Sequence, residues 1–129
     1  MITFSVTTTQ RETMIDITPQ LRDLVSTHAH NASAMLVYTP HTTTGLTINE
    51  GADPDVCRDI LTHLRTLFPQ RADFRHAEGN SDAHLKASFF GSSVHLMVDQ
   101  GRLALGTWQR VFLGEFDGPR TRSVWVSFL

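Results

Sequence analysis

Apolar and polar residues alternate from the second position onward. Ile2, Phe4 and Val6 share one parity and Thr3, Ser5 and Thr7 the other, the two-residue period of a strand with one buried face. Met14-Ile15-Asp16-Ile17 has strand character as well, and the short stretch between the two segments predicts a hairpin. The period then lengthens. Thr18-Pro19 offers a hydroxyl cap and a ring for a first helical turn, and Leu21, Leu24 and Val25 recur at helical spacing, predicting a helix that fades near His28. Residues 34–38 form a second strand region, and Pro40 breaks the chain immediately before His41. From Thr42 to Ile48 a further strand is expected, with Leu46 and Ile48 on one face and Thr43, Thr47 and Asn49 on the other together with His41.

Asp53-Pro54 opens the strongest helical pattern, in which Val56, Ile60, Leu64 and Leu67 form a stripe that Pro69 closes. The stretch from Gln70 to Asn80 has neither period and reads as loop. Ser81-Asp82 can cap a short helix that runs through Lys86 and stops at Gly91, with His84 in its first turn. After Ser92 the period returns to two, through Val94, Leu96 and Val98, the turn Asp99-Gln100-Gly101, then residues 103–105, 108–116 and 123–129, which predicts a strand meander. In the 108–116 segment Trp108 and Phe112 occupy one parity and Val111 and Leu113 the other. A strand buried on both faces in so small a domain points to a two-layer fold or a subunit interface. No repeat or linker interrupts the pattern, so residues 1–129 are read as a single domain.

Composition narrows the class. The one cysteine, Cys57, has no partner for an intrachain disulfide, and the N-terminal stretch lacks the basic start and apolar core of a signal peptide, so a cytoplasmic protein is expected. No segment approaches the roughly 18 apolar residues that span a bilayer. Eleven basic residues against thirteen acidic ones give a formal charge of -2, which disfavours a nucleic-acid partner. Seven histidines are many for this length, and neutral imidazole is the commonest metal ligand.

The polar residues gather in three blocks. In the first, Pro40-His41-Thr42-Thr43-Thr44-Gly45-Leu46-Thr47-Ile48-Asn49-Glu50, an imidazole begins a strand that ends in an amide and a carboxylate. On its own a histidine after a proline is equally a loop residue. The second, His76-Ala77-Glu78-Gly79-Asn80-Ser81-Asp82-Ala83-His84, packs two imidazoles, two carboxylates and an amide into nine residues bent at Gly79. A turn feeding a helix start can bring His76 and His84 together while the first block supplies His41, and three protein ligands would leave a position open for water or substrate. Glu78 or Asp82 can then act as general base on bound water, or fix imidazole tautomers. Asp82 is equally a carboxylate favoured by the dipole at a helix start. That start also attracts anions, so a phosphate can rest near Asn80 and Ser81.

The third block joins Gly106-Thr107-Trp108-Gln109 to Glu115-Phe116-Asp117-Gly118-Pro119-Arg120. Arg120 and Arg122 have the planar donor fork that suits phosphate and Glu115 can orient a ligand group, although a strand followed by a Gly-Pro turn with solvated charges accounts for the same spacing. His28, His30, His63 and His95 do not converge on these blocks, and Cys57 lies on a helix with no adjacent base.

Taken in order, residues 41–50, 52–56, 76–88, 106–109 and 115–120 resemble the signatures of the YjbQ-like family, and the likeness spans essentially the whole chain. Thr44 stands where alanine is common, Gly51 where asparagine is common and Phe74 where tyrosine is frequent. The resemblance implies an α+β fold, a two-layer mixed or antiparallel β-sandwich with two to three helices, assembled as a homotrimer with sites near the subunit interfaces. It also implies a divalent metal on His41, His76 and His84. The activity it carries is that of a secondary thiamine-phosphate synthase, a transferase joining a pyrimidine methyl diphosphate to a thiazole phosphate with loss of pyrophosphate.

The expected function is therefore a metal-binding enzyme acting on a small phosphorylated compound. Glu50, Glu78 and Asp82 are the candidate acid–base groups, and Thr43, Asn49, Asn80, Ser81, Gln109 and Arg120 the candidate ligand contacts. Imidazoles favour a zinc-like ion, whereas diphosphate departure usually relies on magnesium, which prefers oxygen. A metal-dependent hydrolase and a protein that binds a metal or phosphometabolite without turnover are the alternatives. No membrane or nucleic-acid partner is expected.

Overall fold

The computed structural model describes residues 1–71 and 73–129; Ala72, inside the loop expected from Gln70 to Asn80, lies outside them. The described residues form β1 (Ile2–Thr7), β2 (Thr13–Asp16), α1 (Thr18–His28), β3 (Ala34–Tyr38), β4 (Thr44–Glu50), α2 (Pro54–Leu67), α3 (Ser81–Phe90), β5 (Ser93–Asp99), β6 (Arg102–Ala104), β7 (Gln109–Glu115) and β8 (Thr121–Phe128). The strands make two sheets, ordered β1-β8-β3-β5-β6 and β2-β7-β4. Every ladder is antiparallel. The α+β sandwich is as expected, and no helix among the described residues is long and apolar enough to cross a membrane.

Two local expectations fail on connectivity. β1 and β2 do not form a hairpin: Phe4 of β1 lies opposite Val124 of β8, and Ile15 of β2 lies opposite Leu113 of β7, in the other sheet. The intervening Thr8-Thr9-Gln10-Arg11-Glu12 has no glycine or asparagine to make a tight primed turn. It bridges the sheets instead, with Thr8 N–H donating to the Arg120 carbonyl and Gly118 N–H to the Arg11 carbonyl. The C-terminal third is not a meander either. β5 and β6 are a hairpin whose turn holds Gln100 and Gly101 at positive φ (49° and 71°), but β7 leaves for the second sheet and β8 returns between β1 and β3.

The main core fills the space between the sheets. Met35, Val37, Leu96, Val124 and Val126 face Leu46, Val111 and Leu113, and α1 adds Leu21 and Val25. The other face of the second sheet is covered by α2 and α3, where Leu64, Ala83, Ala87 and Phe116 cluster with Ile60, Leu61, Phe68 and Phe90. β7 is thus buried on both faces, as its two apolar parities require. Trp108 does not share that burial: it precedes the strand and is 61% exposed. Leu67, placed on the α2 stripe by spacing, is also exposed, and Phe68 packs against the helical cluster instead.

The helix starts differ in chemistry. α2 is capped as expected, with Asp53 accepting from the Asp55 amide. At α1 the capping carboxylate belongs to Asp16, which accepts from Thr18 N–H, while the Thr18 hydroxyl accepts from the Val111 amide and ties the helix to β7. α3 has Asn80 rather than Ser81 at its N-cap, with no side-chain cap, and ends at Gly91 with φ 90°.

Close approach of α3 to the sheet depends on Gly45 of β4 opposite Gly114 of β7. Phe90 fills the space above them, edge-to-face on Phe116 with ring centroids 5.1 Å apart, and Leu46 N–H donates to the Gly91 carbonyl. A Cβ at position 114 would stand 2.7 Å from Phe116 Cζ and 2.8 Å from Phe90 Cε2, closer than packed atoms tolerate. Gly114→Ala is expected to destabilise the fold by about 1–3 kcal/mol through overpacking, read as a lower midpoint in urea denaturation.

Candidate active site

Three segments meet at one end of the sandwich: the turn leaving β3 (Pro40 to Thr43), the loop and helix start from His76 to His84, and the β7–β8 corner from Asp117 to Arg122. Between them lies a cleft of about 440 Å³, within the ordinary range for small-ligand sites. His41, His76 and His84 all line it, with Thr43, Glu78, Asn80, Arg120 and Arg122. A second, more open hollow runs from His41 and His84 past Ser88 to Tyr38.

A buried ionic pair forms one wall. Arg122 donates through Nε to Glu115 Oε1 at 2.9 Å and through Nη2 to Glu115 Oε2 at 2.6 Å, and Glu115 has no exposed surface. The Thr8 hydroxyl donates to Glu115 Oε1 at 2.7 Å, and the Thr43 hydroxyl accepts from Arg122 Nη2 at 2.8 Å. Glu115 orients Arg122 rather than a ligand. Thr43 faces the cleft but is also bound into this pair.

His41 sits against the same wall, its Nε2 accepting the Ser123 amide at 2.8 Å. Burial, and then the adjacent Arg122 guanidinium, hold its pKa below the ordinary histidine value. His76 and His84 stand opposite, edge-to-face with centroids 5.4 Å apart. Glu78 is exposed, with Oε2 3.7 Å from His76 Nε2. Beside this pair Phe74, Leu85 and Ser81 line an apolar hollow. Asn80 donates to Asp117 Oδ2 at 2.9 Å, leaving its own Oδ1 buried without a partner among the described residues, and Arg120 reaches the same Asp117 oxygen at 3.0 Å.

Asp82 is placed elsewhere. It is fully buried, held by Arg11 at 3.0 Å and by Lys86, four residues on along α3, at 2.8 Å. Burial pushes its carboxyl up, but these two cations more than offset that and leave its pKa below the ordinary value. It therefore fastens α3 to the segment after β1 and does not face the cleft as a base. Asn49, Glu50 and Gln109 are at the far end of the β4–β7 pair, where Glu50 lies opposite Gln109. A strand of that length separates the two ends by roughly 20 Å. The Asn49 side chain accepts from Glu50 N–H and the Gln109 side chain from Gly106 N–H. The burial of Cys57 pushes its thiol pKa up, against nucleophilic use.

The three imidazoles share one cleft. Among the described residues no three His, Cys, Asp or Glu side chains are grouped to hold an ion. His76 and His84 are mutually placed; His41 has one nitrogen committed to backbone. The roles of Asp117, Arg11 and Ser123 were not legible in the residue types. The spacing of Lys86 to Asp82 is a helical ion-pair signal that marks the latter as structural.

A family model described as UPF0047 protein YjbQ-like matches residues 2–129. The UPF0047 protein YugU of Bacillus subtilis (strain 168) is 45% identical over 128 residues, covering 98% of this chain and 97% of its own. A UPF0047 protein of Archaeoglobus fulgidus is 48% identical over 124 residues, covering 95% of each. The crystal structure of an uncharacterized conserved protein of the yjbq/upf0047 family from Clostridium acetobutylicum is 46% identical, covers 100% of both chains and superposes with a TM-score of 0.96. A YbjQ-like protein of unknown function from Sulfolobus solfataricus P2 is 31% identical, covers 98% of this chain and 94% of its own, and superposes at 0.93.

Removing one member of the buried pair strands the other. Arg122→Met is expected to cost about 3–5 kcal/mol in denaturant unfolding, and the double variant Arg122→Met/Glu115→Leu to recover a large part of that loss.

Proposed function

Starting from the UPF0047 YjbQ-like family, to which this chain belongs, we propose that the cleft is the active site of an enzyme acting on a small phosphorylated compound. The observation that carries the reading is that His41, His76, His84, Arg120 and Arg122 line one cleft against the uncapped start of α3. The first amides of a helix have no intrahelical partner, so the N–H of Ser81, next to Asn80 on the cleft wall, with the dipole behind it, suits phosphate oxygens. Arg120 adds a charge-assisted donor once it turns from Asp117. The imidazoles of His76 and His84 supply proton transfer at the reacting group, with Glu78 near enough to orient His76. The apolar hollow along Phe74 and Leu85 accommodates an uncharged portion of the substrate.

A second reading is that a zinc-like ion binds here, and the edge-to-face pairing of His76 with His84 favours it. The two readings share a test. Purified protein is assayed for metal content, and then for phosphate release and for condensation of a pyrimidine methyl diphosphate with a thiazole phosphate, with and without chelator. His84→Ala is expected to lower turnover at least about 100-fold while the thermal midpoint holds. Ligand binding with no turnover of any phosphorylated compound would instead leave a binding protein. Retention of bound ion by both His76→Ala and His84→Ala would end the metal reading.

Assembly as a homotrimer is part of the same proposal. The outer face of the five-stranded sheet carries no charged side chain from β1, β3 or β8, and Tyr38 stacks on Trp125 across it at 5.7 Å. Met97 on β5 adds a 72% exposed apolar side chain to the same face. Uncharged sheet faces of this kind are covered in self-associating chains. Light scattering is expected to return three times the 14.5 kDa chain mass, and Trp125→Glu to shift it toward one. A monomeric wild type would contradict this.

A further inference from the structure

We infer that His41 serves the cleft as a hydrogen-bond donor to a phosphate oxygen through Nδ1–H, and that it is not a metal ligand. The inference rests on the reading of the cleft as a phosphate site, and it concerns the state of one ring within it.

The backbone explains why the ring is held as it is. β3 pairs with β8 only as far as Tyr38 opposite Trp125. Two residues further along each strand, Pro40 would face Ser123, but a proline brings no regular ladder and the chain turns away there. Ser123 N–H is left without a strand partner on that side, and His41 Nε2 takes the place of the missing carbonyl at 2.8 Å. A backbone amide can only donate, so Nε2 must present its lone pair. In a neutral ring the proton is then on Nδ1.

Protonating the ring would turn Nε2 into a second donor facing Ser123 N–H. Nδ1 has no hydrogen-bond partner among the described residues and is not among the buried unpartnered atoms, so it is open to solvent where His41 lines the cleft and the adjoining hollow.

A metal binds the free lone pair of a neutral imidazole. His41 has none to give: one nitrogen is spent on Ser123 and the other carries the proton. Ligation would require loss of the Ser123 bond or an imidazolate. What the ring can offer without rearrangement is a donor, and an anionic oxygen is the acceptor that suits a cleft also lined by Arg120.

The test uses the full chain with ¹⁵N-labelled histidine at neutral pH in chelator, with His41 assigned by the signals lost in His41→Gln. Long-range ¹H–¹⁵N spectra are expected to show a protonated Nδ1 and an unprotonated Nε2 for His41. Zinc is expected to leave those two signals in place, and inorganic phosphate to move Nδ1. His41→Gln can keep an acceptor for Ser123 while removing the donor from the Nδ1 position, since its carboxamide N–H2 lies one atom further along the side chain, and is expected to weaken phosphate binding at least about tenfold with an unchanged thermal midpoint. An Nε2–H tautomer, a zinc-dependent shift of His41 nitrogens, or full phosphate affinity in His41→Gln would overturn the inference. Absence of phosphate binding in the wild type would sink the ligand reading and the donor role with it, while the tautomer result would still decide whether His41 can ligate a metal.

Discussion

The ion pair between Glu115 and Arg122 is the constraint from which the rest of this end of the molecule follows. Glu115 ends β7 in one sheet and Arg122 begins β8 in the other, so their two hydrogen bonds join the layers at the corner where the cleft opens. Thr8, after β1, and Thr43, before β4, complete the set. Four segments distant in sequence are thereby held by one buried charge pair whose desolvation is offset only if all the hydrogen bonds form together. A hydrophobic contact would tolerate slippage at this corner; this arrangement does not. It also fixes the start of β8, and hence the Ser123 amide to which His41 is bound.

The fold was legible wherever a period decides the structure. β1, α1, β3 and α2 were read within a residue or two, and the double burial of β7 followed from its two apolar parities. Pairing was not legible: residues 8–12 lack the residues of a tight primed turn, but which sheet each strand joins depends on which distant strand supplies the complementary face. The same limit applied to side chains. Thr18 looks like a helix cap and is instead an acceptor for β7, since Asp16 stands two residues earlier with a stronger acceptor.

The candidate site shows a similar division. The block from His76 to His84 and the turn at His41 do come to one cleft, as their density of polar groups suggested. Asp82, in the middle of that block, does not take part, because α3 turns its side chain inward to Arg11 and Lys86. Glu50 and Gln109 do face one another, but at the opposite end of β4 and β7. Residue types located the chemistry; the direction of each side chain, set by helix phase and strand register, decided which groups share a space.

The central claim is that a phosphorylated ligand occupies the corner between the His41 turn, the start of α3 and the β7–β8 corner. The most direct measurement is the map of backbone amide shifts in ¹H–¹⁵N spectra as a small organic phosphate is titrated into the protein. The account predicts movement at Asn80, Ser81, His41 and Arg120, with Glu50 and Gln109 at the far end of the sheet unmoved in a sample diluted to the single-chain form. Shifts centred on that far end, or no shifts at all, would contradict it.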